Sequence, residues 1–196
     1  MRSLPEEKGR SKRWRVALLV LVLIPFVPEL VIFATSLLAQ IRGCQVQSDV
    51  ACIIGSDSAA DIIRRALEAG SFVGYRFSEG LAAAWLAACY VPVTLGWSRL
   101  WSRLLLAFAV SLTYAFAPYF GPGLSIDHLV NENCLPNEGF VGPCRIYGGN
   151  VGSIAHDTVR LGWSIIKGAP IAFGMFLAYL PIAIGIHLVS RIRRMS

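Results

Sequence analysis

Five cysteines, three histidines and one acidic residue buried in an apolar run are the groups in this 196-residue chain with reactive or ligating chemistry. Four of the cysteines form two pairs: Cys44 with Cys52, spaced Cys-x7-Cys, and Cys134 with Cys144, spaced Cys-x9-Cys. Four cysteines allow three pairings, and the pairing within each loop orders the least chain, so two local disulfides are expected in an oxidising compartment. Cys89 sits alone inside an apolar run and reads as a small packing residue. His128 follows Asp127, His156 precedes Asp157 and His187 stands apart. None shows the His-x3-His or Cys-x2-Cys spacing of a zinc site, so no metal is expected. No His-Glu-x-x-His, Gly-x-Ser-x-Gly or Walker pattern occurs, and the glycines at 148–152 lack the Gly-Lys-Ser/Thr ending of a phosphate loop. The expectation is a chain with no catalytic residue and no cofactor.

Glu29 is the polar group that calls for an explanation. An ionised carboxylate at the centre of a bilayer costs on the order of 3 kcal/mol, so such groups find a partner or carry a proton. It serves either a proton or ion step, or an interhelical hydrogen bond beside Pro25 and Pro28, whose kinks free backbone carbonyls. Counting inward from the basic ends of the apolar runs puts Trp85, Tyr114 and Tyr179 at the same depth.

The elements that carry these residues follow from composition. The chain is 55% hydrophobic and 15% charged, whereas soluble domains hold about 25% charged residues. A polar coat for a soluble globule is missing. Four apolar runs of membrane-crossing length, about 20 residues, cover 16–41, 79–97, 103–122 and 168–190. The fold expected is an all-α integral membrane protein with one four-span domain (16–190) between basic tails (1–15 and 191–196). Its long loops are 42–78 and 123–167, each with a short amphipathic helix. The first begins at the capping sequence Ser58-Ala59-Ala60-Asp61 and ends at Gly70; the second begins at Ile154. Gly80, Ala84 and Ala88 make a small-xxx-small stripe suited to close helix packing.

Charge gives sidedness. The two tails and the short 98–102 turn with Arg103 hold most of the eighteen basic residues, while the long loops hold most of the carboxylates. The positive-inside rule then puts both termini in the cytoplasm of a bacterial inner membrane and the cysteine pairs outside. The expected partners are the lipid bilayer and another membrane protein or a second copy, not nucleic acid.

The two halves read alike: a basic aromatic start (Trp14-Arg15; Trp101-Ser102-Arg103), a span, a cysteine pair, an amphipathic stretch, then Tyr90-Val91-Pro92 or Tyr179-Leu180-Pro181. That order fits a 2+2 parallel repeat. The layout resembles that of the bacterial quinone-linked disulfide-generating membrane proteins, which implies thiol-disulfide exchange. The Cys-x-x-Cys of that family is absent here, both pairs being wider. The leading expectation is therefore an accessory, assembly or structural membrane protein with a disulfide-stapled cap. A quinone-linked oxidoreductase is the alternative, and a small transporter or channel component using Glu29 the third.

Overall fold

The computed structural model describes residues 5–46, 48–127, 129 and 144–193. Helices α1 (Pro5–Leu23) and α2 (Val27–Ile41) are joined by one 3₁₀ turn. A hairpin of β1 (Ile53–Ile54) and β2 (Asp57–Ser58) leads into α3 (Ala59–Arg76), and α4 (Ala82–Gly96) follows across a π-helical kink. The second half has α5 (Leu100–Asp127), a hairpin of β3 (Arg145–Ile146) and β4 (Gly149–Asn150), α6 (Gly152–Leu161) and α7 (Ile165–Ile192).

Four helical stretches are long and apolar enough to cross a membrane: Lys12–Ile41, Ala59–Gly96, Leu100–Ile126 and Gly152–Ile192. Each takes in one expected span to within a residue, so the chain is a multi-pass helical membrane protein. The first amphipathic segment is longer than expected, while the second leads into the last span as expected. Helix α3 does not stop at Gly70 but runs to Arg76 and on towards α4, and α6 passes through one 3₁₀ turn into α7. Gly70 is no terminator because its missing Cβ serves packing: a methyl there would lie 3.2 Å from Pro122 Cγ and 3.5 Å from Glu29 Oε1. The real bend comes later, at Gly80, whose φ of 101° only glycine adopts readily.

Contacts divide the chain into two compact units. The first, the helix unit, gathers α1, α4, the first part of α5 and most of α7. Proline governs its polar chemistry. Pro25 has no N–H, so the Leu21 carbonyl one turn earlier loses its helical donor. Two side chains replace it: Tyr114 Oη donates to Leu21 O (3.0 Å), and Trp85 Nε1–H is shared between Leu21 O (3.2 Å) and the Tyr114 hydroxyl (2.5 Å). A carbonyl bared by a kink inside an apolar environment is thereby satisfied. Nearby, Ser111 Oγ gives its proton to Ala107 O, so Tyr90 Oη is the donor to Ser111 (2.6 Å). Thr94 likewise donates to Tyr90 O, leaving Tyr179 Oη to donate to Thr94 Oγ1 (2.9 Å). The Tyr90 and Tyr179 rings stack with centroids 4.5 Å apart.

The second, the hairpin unit, gathers α2, both hairpins, α3, the end of α5 and α6. Its apolar core includes Ile32, Ala39, Cys52, Ile63, Leu67, Cys144, Ile146, Tyr147 and Ala155.

Candidate functional site

The hairpin unit is built by turns and caps. In the first hairpin Ile53 faces Ser58 and Ile54 faces Asp57, with Gly55 (φ 70°) at the first turn position, as a type II′ turn requires. In the second, Arg145 faces Asn150 and Ile146 faces Gly149, and both turn residues, Tyr147 (φ 51°) and Gly148 (φ 82°), are left-handed, as a type I′ turn requires. A tyrosine held in that region costs about 1–2 kcal/mol, and three bonds hold it. Tyr147 N donates to Val46 O (2.7 Å), Cys52 N donates to Tyr147 O (3.3 Å), and the hydroxyl lies 3.1 Å from Ser36 Oγ.

Each hairpin then starts a helix. Ser58 Oγ accepts from Asp61 N (3.1 Å) at the start of α3, the expected cap, and Asn150 Oδ1 accepts from Gly152 N (2.9 Å) at the start of α6. Cys44 and Cys52 are joined as a disulfide with their Cα atoms 5.9 Å apart. Cys144 is also disulfide-bonded; its expected partner Cys134, like His128, lies outside the described residues.

Glu29 belongs to this unit, in the first turn of α2. Its side chain passes between two glycines of other helices. A Cβ on Gly121 of α5 would lie 3.1 Å from Oε1, and one on Gly70 of α3 would lie 3.5 Å from the same atom. Carboxylate oxygen Oε2 is buried without a hydrogen-bond partner, and so are Ser71 Oγ and Tyr119 Oη of the same unit. Beside Glu29 is a cavity of about 350 Å³, walled by Ile32, Ser36, Gln40 and Ser125 and edged by the exposed Phe33, Leu37 and Leu124. A carboxyl at the side of an amphipathic cavity, with hydroxyl and amide groups around it, can hold a proton or accept from a cationic or hydrogen-bonding guest.

Of the polar residues expected at one depth, three belong to the helix unit and Glu29 to the hairpin unit. Trp85 and Tyr114 meet on Leu21, and Tyr179 meets Thr94 and Tyr90, all in the helix unit. Glu29 has its neighbours Pro28, Gly70, Gly121 and Pro122 in the hairpin unit.

The small-residue stripe lies largely outside the packed side of α4. Ala84 and Ala88 are exposed, a Cβ on Gly80 would meet nothing within 4 Å, and the buried side of α4 carries Ala82, Leu86, Cys89 and Val93. Gly80 is needed for its backbone angle instead. Cys89 is fully buried, in keeping with a packing role. Among the described residues no group of three or more His, Cys, Asp or Glu could hold a metal ion.

Sequence reasoning missed Tyr147, Gly121 and Ser36. The Tyr-Gly-Gly-Asn run carried the hairpin signal, two left-handed residues followed by a helix cap, but strands of two residues leave no alternation to read.

Compared with protein-family models, curated proteins and solved structures, the chain has no match.

Proposed function

We propose that the chain is a non-enzymatic accessory or assembly protein of a bacterial inner membrane, with both termini cytoplasmic, that works by associating with another membrane protein or a second copy. The observation that carries this reading is the outward small-residue side of α4. Ala84 and Ala88 are exposed in a helix of spanning length, and small side chains let a second helix approach closely. Replacing both by leucine is expected to abolish co-purification of a stoichiometric partner or copy while leaving the melting temperature of the isolated protein unchanged. Retained association would reject that face.

The cysteines support a structural cap rather than thiol exchange. Exchange requires access to a sulfur; Cys52 is 5% exposed, Cys144 2% and Cys89 fully buried, and Cys44 alone among the described cysteines is half-buried. An internal duplication is part of the same proposal, supported by matched details. Ala59 N donates to Cys52 O and Val151 N to Cys144 O; each hairpin directly follows a cysteine; and Ser58 and Asn150, each six residues after that cysteine, both accept from a backbone N–H at the start of the next helix. The two Tyr-x-Pro motifs meet each other through stacked rings, the contact expected of equivalent residues beside a two-fold axis.

A second reading, a proton- or ion-coupled membrane component, is favoured by the unpartnered Oε2 of Glu29 beside its cavity. Under it, Glu29→Gln assembles normally and loses proton or cation flux in proteoliposomes. Under the accessory reading Glu29→Gln changes no flux.

A further inference from the structure

Where α4 turns into α5, Trp97 holds two arginines. Arg103 Nε donates to the Trp97 carbonyl (2.6 Å), and the Arg15 guanidinium lies over the Trp97 indole, 5.3 Å from its centroid. Gly96 makes room for this: a Cβ there would lie 3.4 Å from Trp14 Cβ and 3.7 Å from Arg15 Cγ. The Nη1 of Arg103 is buried without a partner. Among the described residues no carboxylate pairs with Arg15 or Arg103. Two cations are thus oriented on one residue, at the end of two apolar helices, with no described carboxylate to answer their charge. The first turn of α5 adds its free N–H groups at the same corner, which also favour an anion.

We propose that Arg15, Arg103 and Trp97 form a discrete site for an anionic phospholipid, recognised through its phosphate. A guanidinium offers paired N–H donors that match phosphate oxygens. Basic clusters at the ends of spans capture acidic headgroups beyond the general field of the surface. Trp97 fixes one guanidinium by its carbonyl and the other by its ring, so the donors are arranged before lipid arrives. Arg13 and Arg99, also basic and exposed at this end of the helices, make no such contacts.

The test is native mass spectrometry of the full-length protein in mild detergent, titrated with phosphatidylglycerol or phosphatidylcholine. One phosphatidylglycerol is expected to be retained in preference to phosphatidylcholine. Retention should fall about five- to tenfold in Arg103→Gln and Arg15→Gln, the loss of one phosphate-facing cation in each. Arg103→Lys, which keeps the charge without the fork, should also bind less tightly. Arg13→Gln and Arg99→Gln should bind as the parent does. Equal losses in those controls would mean a diffuse positive surface and overturn the site. No preference over phosphatidylcholine would do the same. Displacement of the lipid by millimolar inorganic phosphate would reassign the site to a free anion. Because Arg15 is exposed, its variant reports binding even where Arg103→Gln fails to fold.

Discussion

Gly148→Ala is expected to destabilise the hairpin unit by about 3 kcal/mol, combining left-handed strain with an overpacked contact. At this chain length that lowers the melting temperature on the order of 10 °C. The geometry leaves no relief. Gly148 sits at φ 82°, and a Cβ there would lie 2.6 Å from Ala51 N and 2.7 Å from Val50 C, backbone atoms that no rotamer change can move. Gly55→Ala is the matched control. Its φ is 70° but a Cβ would meet nothing within 4 Å, so only the strain of about 1 kcal/mol should appear. Thermal melts of the two variants in the same detergent separate the terms. Equal shifts would mean that the second hairpin does not rest on the 50–51 segment.

Loss of the Cys44–Cys52 bridge is the second large effect. With a sequence separation of eight, closing the loop limits the unfolded chain by about 2–3 kcal/mol in the chain-entropy treatment. Cys52 also fills core space beside the first hairpin, so Cys52→Ala should cost more than Cys44→Ala, whose sulfur is only part buried. The double variant should be little worse than Cys52→Ala alone, because one bond can be broken only once. Limited proteolysis should show new cleavage between α2 and α3. A parent protein whose melting temperature is unchanged under strong reductant would refute a stabilising bridge.

Much of this architecture was legible in the residues, for identifiable reasons. Apolar runs of membrane-crossing length leave an unmistakable signal, and Ser58 announced its helix because a cap is a local hydrogen bond. The length of α3 was not legible. Gly70 looks the same in sequence whether it ends a helix or admits Pro122 and Glu29, and only the neighbours decide. The surroundings of Glu29 were not legible for a related reason. Depth along a helix follows from counting, but the direction a side chain faces depends on how helices are rotated, which Pro25 and Pro28 alter. Proline did predict that a carbonyl would need a donor. That Trp85 and Tyr114 supply it required coordinates.

The bond between Tyr147 and Ser36 bears on how the protein is made. The two residues are 111 positions apart. At ordinary rates of synthesis that is a wait of roughly 6 to 22 s. Until then Ser36, the Val46 carbonyl and the Cys52 amide have none of the Tyr147 contacts that complete them, although the Cys44–Cys52 bridge can already form. A half-made chain therefore shows a cross-linked but uncovered loop to insertases, chaperones and membrane proteases. Only after residue 147 has been made can that loop be covered.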